Sequence, residues 1–232
     1  MADSNQFIVN LSGVQRNNRV NRIFIALLSL ACLSESAAGA PGDSLKPLIH
    51  SRAEWHAELA AKIPLDKLKD RIVVHHTAFY VTDAVKALGP KESWNAAVKH
   101  AHEAQFLHKH IHGWSDVAYH YMIDWEGRIL EGRPIDLLGA HTEHNNRGSI
   151  GVVLMGDFSR QRPTPKQLAS LKSLLRWLIA VHGIAPKNIL GHHHLKYTDC
   201  PGKYLNDPWD PRTPLQSIRT ELLIESLKST HR

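Results

Sequence analysis

Short β-branched runs alternate with longer amphipathic stretches along most of this chain. That alternation predicts an α/β fold: a mixed central β-sheet flanked by helices on both faces, in a single domain. Two further observations bound the expectation. The 232 residues are 43% hydrophobic and 22% charged, ordinary globular values that exclude wholesale disorder and collagen-like or low-complexity classes. No internal repeat or second composition regime follows residue 47, so one domain is expected over 48–232.

The elements follow in order. RIVVHHT, from Arg71 to Thr77, is short and β-branched and predicts a buried strand. Lys91 to His112 has helical spacing and ends at Gly113, a good residue just past a helix C-terminus. Tyr119 to Asp124 predicts a strand, Glu126-Gly127 a turn and Arg128 to Gly132 the returning strand of a hairpin. SIGVVLMG, Ser149 to Gly156, is another buried strand. Thr164-Pro165-Lys166-Gln167 is a capping box with proline at the first helical position. The helix it opens carries Leu168, Leu171, Leu175, Leu178 and Ile179 on one stripe and stops at Gly183. Asn188 to His192 is a last short strand, and Gln216 to Leu227 a terminal helix with Ile218, Leu222 and Leu223 inward.

The N-terminus reads as an export signal over residues 1–38. Arg16, Arg19 and Arg22 precede an apolar run, Ile23 to Leu33, broken only by Ser29. The small residues Ser36, Ala37 and Ala38 follow, which suits cleavage after Ala38. The run is too short to cross the ~30 Å of a bilayer as a helix, so no stable membrane span is expected once it is removed. Residues 39–47 read as a linker, and the protein as periplasmic or secreted.

Histidine is the outlier in the composition, at 17 residues. Phosphate, nucleotide or hydride chemistry does not call for so many, whereas metal binding and general acid–base catalysis do. The two cysteines cannot supply a disulfide framework, and removal of the signal would leave Cys200 alone. Three places stand out. His75 and His76 are adjacent in a strand and so point to opposite faces; only one can enter a given site. His192-His193-His194 follows a short strand, and Cys200 sits in Thr198-Asp199-Cys200-Pro201-Gly202. Two imidazoles and a thiolate would leave a tetrahedral Zn²⁺ one open position, the ligand count of a catalytic site. Core packing of the strand histidines, a solvated histidine loop and an idle thiol fit the same residues when each is taken alone.

The motifs, taken in order, resemble the peptidoglycan recognition protein and zinc amidase family, which includes phage amidase-type lysozymes. They are VHHTA, WSDVAYHYMIDWEGRILEGR, GAHTEHNNRGSIGVVLMGDF and GHHHLKYTDCPG; Ser51-Arg52-Ala53-Glu54-Trp55 also resembles the motif opening the animal members. The likeness covers roughly residues 50–205. It implies an N-acetylmuramoyl-L-alanine amidase, which hydrolyses the amide between the lactyl group of muramic acid and L-alanine of the stem peptide. It implies one catalytic Zn²⁺ held by His75, by His192 (rather than His193 or His194) and by Cys200. It makes Tyr119 the catalytic tyrosine, makes Thr198, at a position that is lysine in phage members and threonine in animal members, a second catalytic candidate beside the oxyanion, and puts His141 in the substrate groove. Beside that, Asn146 and Arg147, with Asn145, have the chemistry to bind the carboxylates of the peptide. The cytosolic recycling branch carries a glutamate where this chain has Val153, and the disulfide common beside the first ligand in animal members has no cysteines here.

Competing classes are weaker. A recognition module that binds without cutting typically lacks the cysteine ligand, which is present. No His-Glu-x-x-His supports a common metalloprotease. A nucleic-acid partner would rest only on the formal charge of +6, which any anionic polymer or surface satisfies, and none is expected. His100, His102, His108, His110 and His112 lack a completing carboxylate and predict a solvated or groove-lining helix rather than a second metal site. Asp116 is expected to be a turn or cap residue, Trp114 and Arg133 structural, and the protein a monomer.

Overall fold

The computed structural model describes residues 43–230; the predicted signal of 1–38 and the first part of the predicted linker lie outside them. Six strands form one mixed sheet. They are β1 (Ile49–His50), β2 (Arg71–His76), β3 (Tyr121–Ile123), β4 (Ile129–Glu131), β5 (Ser149–Leu154) and β6 (Ile189–Gly191). Their order is β1-β4-β3-β5-β2-β6, with β3 and β4 antiparallel and every other pair parallel. The predicted hairpin is therefore the one antiparallel element, and the remaining pairings need crossovers.

β2 lies between β5 and β6, paired from Arg71↔Ser149 to His76↔Leu154 on one side and from Ile72↔Ile189 to Val74↔Gly191 on the other. Helices cover both of its faces, which is why it reads as a continuous apolar run. On one face Ile72, Val74, Ile150, Val152 and Leu154 pack with α3 (Pro165–His182) and α5 (Pro214–Thr230). On the other, Met122, Leu130, Val153 and Met155 pack with Trp55 and with Ala97 and Ala101 of α2 (Pro90–Phe106). The alternation of side chains along a strand sends His75 to the α2 face and His76 to the α3 face.

The helix boundaries follow local chemistry. Thr164 accepts from the backbone N–H of Gln167 while Gln167 accepts from that of Thr164, closing the capping box at α3. The stripe of α3 is Leu171, Leu174, Leu175 and Leu178, with Leu168 and Ile179 at its margins. Burial of each leucine contributes about 1.5–3 kcal/mol. α5 buries Leu215, Ile218 and Leu222, but Leu223 is 44% exposed and does not point inward as expected. One residue past Leu222 is a 100° rotation, which carries it off the stripe. α2 continues through a π-type turn, Leu107–Ile111, before Gly113. The described part of the predicted linker is packed rather than free: Asp43–Leu45 is a single 3₁₀ turn, and Lys46 Nζ sits 5.5 Å above the Trp177 ring of α3.

Candidate metal centre

His75 is the penultimate residue of β2, and His192 follows Gly191, the last residue of β6. These strands are parallel neighbours, so both histidines emerge at the same end of the sheet. Cys200 is brought to that end by a tight loop. Its carbonyl accepts from His193 N at 3.0 Å, its own N–H donates to Thr198 Oγ1 at 3.2 Å, and its Sγ lies 3.4 Å from His76 N. The loop turns at Gly202, whose φ of +89° and near approach to Phe158 leave no room for a side chain: a Cβ there would fall 2.2 Å from the Phe158 carbonyl carbon.

One donor atom from each of His75, His192 and Cys200 lies within 4.8 Å of the others. Cys200 Sγ is 3.6 Å from His75 Nδ1, and the His75 and His192 rings are 4.5 Å apart. A tetrahedral zinc with two nitrogen ligands and one sulfur needs donors roughly 3.4–3.7 Å apart, so small side-chain rotations close this set. The buried Nε2 of His192 has no hydrogen-bond partner. Burial and neighbouring imidazoles hold His75 well below the usual histidine range, and burial lowers His192 to about 4. Both are thus neutral, as a metal ligand must be. Burial pushes the Cys200 thiol up to about 12. A cation among the three donors would reverse that shift, because a coordinated thiol is deprotonated outright. The donor set fits one zinc ion with an open position.

Around the triad is a cluster of rings. His141 Nδ1 lies 3.0 Å from His75 Nε2 and 3.1 Å from Thr142 Oγ1. Donation from His75 Nε2–H to His141 Nδ1 would leave His75 Nδ1 unprotonated toward Cys200. His141 fits only because two neighbours lack side chains: a Cβ on Gly151 would lie 2.4 Å from its ring, and one on Gly139 2.6 Å. Tyr119 is half-buried with its ring 5.2 Å from His75, and burial raises its hydroxyl above the usual tyrosine value, keeping it a donor. His108 packs edge-on against Tyr119 at 5.6 Å, stacks on Trp114, and accepts from Ala118 N.

The expected residues divide in the structure. His75, His192 and Cys200 converge, with Tyr119 and His141 against them and Thr198 bracing the cysteine loop. His193 turns away to Asn206, and His194 Nδ1 bonds to the Gly191 carbonyl. His141 is 7% exposed and lies against His75. Asn146 accepts from the N–H groups of His141 and Thr142, shaping that loop from within. Arg147 lies apart from the triad: it precedes Ser149, which pairs with Arg71, four residues before His75, and so its backbone is ~13 Å along the strands from the three donors. There its carbonyl accepts from Arg71 Nη2. Val153, opposite His75 on β5, is fully buried and apolar.

The histidine tract of α2 diverges. His100 bonds to Thr77 Oγ1, His110 faces Glu58, and His102 lies against Trp55. His100 and His108 are buried and the other three are not, so the solvated part of the expectation describes His102, His110 and His112. Among the described residues, the triad is the one convergence of three metal-capable side chains. Asp116 is neither catalytic nor a simple turn residue: fully buried, it pairs with Arg52 at 2.9 Å and accepts from Gln105 and Val117 N. What the sequence reading missed is the inward role of His108. The signal was its spacing from Ala101 and Ala97 on the buried face of α2.

Residues 66–203 match the N-acetylmuramoyl-L-alanine amidase family, and the chain belongs to that family. It is 29% identical over 159 residues to peptidoglycan-recognition protein LB of Drosophila melanogaster, which covers 66% of this chain and 63% of that protein. The chain thus spans less than two thirds of that relative. Among solved structures, N-acetylmuramoyl-L-alanine amidase LysC from Clostridium intestinale superposes with a TM-score of 0.59 at 25% identity, covering 76% of this chain and 98% of that one. Peptidoglycan recognition protein LE, solved with tracheal cytotoxin, a monomeric diaminopimelic acid-type peptidoglycan, gives 0.59 at 27%, covering 67% and 88%.

Proposed function

We propose that this chain is an exported, zinc-dependent N-acetylmuramoyl-L-alanine amidase that cuts the bond between the lactyl group of muramic acid and L-alanine in peptidoglycan. The observation that carries the reading is the convergence of His75, His192 and Cys200, with one donor atom of each within 4.8 Å of the others and His141 behind the first. A zinc ion held there supplies the Lewis acidity that polarises an amide carbonyl and acidifies water. Tyr119, kept protonated, donates to the oxygen of the lactyl carbonyl as charge develops on it. Thr198, whose oxygen already accepts from Cys200 N, has its own hydrogen free to donate to the same oxygen. His141 holds the His75 ring and fixes its tautomer. Asn146 shapes the loop carrying His141, and Arg147, away from the metal ligands, would bind a carboxylate of the stem peptide rather than act on the amide that is cut.

In this reading residues 1–38 are a signal, 39–47 a connector and 48–232 the amidase domain, acting outside the cytoplasm as a monomer. No helix among the described residues is long and apolar enough to cross a membrane. The test is digestion of purified peptidoglycan by the full-length protein, with and without chelator, beside Cys200→Ala. Release of stem peptides beginning at L-alanine, lost on chelation and in the variant, is the expected result. Wall binding without cleavage after zinc is restored would instead make it a recognition protein. Cleavage that survives chelation would overturn the metal mechanism.

A further inference from the structure

A cavity of about 390 Å³ opens beside the Cys200 loop, within the range of small-ligand pockets (~300–1,000 Å³). Its walls include Thr198, Asp199, His193, Lys203, Asp207 and Trp209. Two of these tie it to the metal centre: Thr198 braces the cysteine, and His193 adjoins His192. Trp209 lines the cavity and is 90% exposed. Its backbone N–H donates to Asp207 Oδ1 at 2.9 Å, and Pro208 restricts the chain between them, so the backbone that carries the indole is set at the rim of the cavity. An aromatic ring left in water beside a polar pocket forgoes its own burial, and that burial is recovered when an occupant covers it.

The geometry points to a sugar subsite: we infer that this cavity takes an N-acetylhexosamine of the glycan strand, next to the muramic acid whose amide is cut, with Trp209 as its stacking platform. The inference rests on the amidase reading for the position of that muramic acid. The chemistry of the walls selects the occupant. The negative face of an indole attracts the slightly positive C–H face of a pyranose ring. Asp199 and Asp207 accept hydroxyl hydrogens, and Lys203 donates to hydroxyl or acetamido oxygens. A stem peptide, which carries carboxylates, would meet two acids and one lysine, and so fits poorly.

The probe is an N-acetylglucosamine tetramer, which lacks the lactyl group and the L-alanine amide that the enzyme would cut. Binding to the full-length protein is read from the tryptophan indole N–H signals by NMR and by titration calorimetry. The tetramer should shift one indole signal, the one missing in Trp209→Ala. That variant should bind about tenfold more weakly or worse, a difference of about 1.4 kcal/mol. Trp209→Phe, which keeps a ring, should retain most of the affinity. Because Trp209 is almost fully exposed, the variants should melt with the parent protein. No binding by the parent protein, equal binding by Trp209→Ala, or displacement of the tetramer from this site by free stem peptide would overturn the subsite. Parallel digestion of peptidoglycan separates the two readings: failed digestion with Trp209-dependent binding removes the amidase and leaves the sugar site.

Discussion

Replacing Gly151 by alanine should damage the metal centre from a residue that touches no metal ligand. Gly151 lies on β5 opposite Val73, and its missing side chain would project to the α2 face. A Cβ there falls 2.4 Å from His141 Cδ2, 2.6 Å from Cγ and 2.9 Å from Nε2. Ordinary contact begins near 3.4 Å, so the ring must retreat by about 1 Å. It has nowhere to go. Gly139 closes another side, and retreat breaks the 3.0 Å link to His75. Overpacking of this kind costs about 1–3 kcal/mol. For a chain this long that is about 2–4 °C of Tm per kcal/mol, and loss of a ligand-orienting bond weakens metal binding about 10- to 100-fold. Thermal unfolding of the zinc-free protein measures the first, and competition with a chelator the second. Leu174→Ala is the control. On the opposite face it should lose about 2–5 kcal/mol of stability with zinc affinity unchanged. A Gly151→Ala protein with the parent Tm and parent zinc affinity would refute the cradle for His141.

Other outcomes follow from the same coordinates. Arg52→Ala leaves Asp116 fully buried without its cation and should cost about 3–5 kcal/mol by urea unfolding; a loss below about 1 kcal/mol would show that the pair is not needed. Burial holds His100 and His108 at about 4 and His120 at about 3, against about 6.5 in the unfolded chain. The unfolded chain therefore takes up protons that the folded one refuses. Zinc-free protein should be most stable above pH 6.5 and lose stability down to about pH 4, each group adding up to ~1.4 kcal/mol per pH unit. Acid titration of the urea midpoint checks the sign, and a midpoint that rises on acidification contradicts it. Tyr119→Phe should lower kcat about 100-fold, with zinc content and Tm unchanged, if its hydroxyl meets the developing oxyanion. A kcat within twofold of the parent value would remove it from the chemistry.

Much of this protein is local and could be read from the chain alone. The strands, the hairpin, the capping box of α3 and the split of His75 from His76 all follow from periods of 2 and 3.6 and from hydrogen-bonding side chains a few residues apart. The ligand candidates were legible because imidazoles and a thiol are rare in such combinations. Bottom-up reading alone left open which histidines meet, since His75 and Cys200 are 125 positions apart. Only the parallel pairing of β2 with β6 brings their ends together. Tertiary packing also decided placements that residue type does not give. Two glycines let the His141 ring lie against His75. Strand register sets the Arg147 backbone well away from the metal ligands. Leu223 matches the hydrophobic pattern, yet the stripe of α5 turns it to solvent. Sequence determines what a side chain can do and which face of its own element it occupies. What it meets depends on how distant elements pair, and that register belongs to the folded chain as a whole.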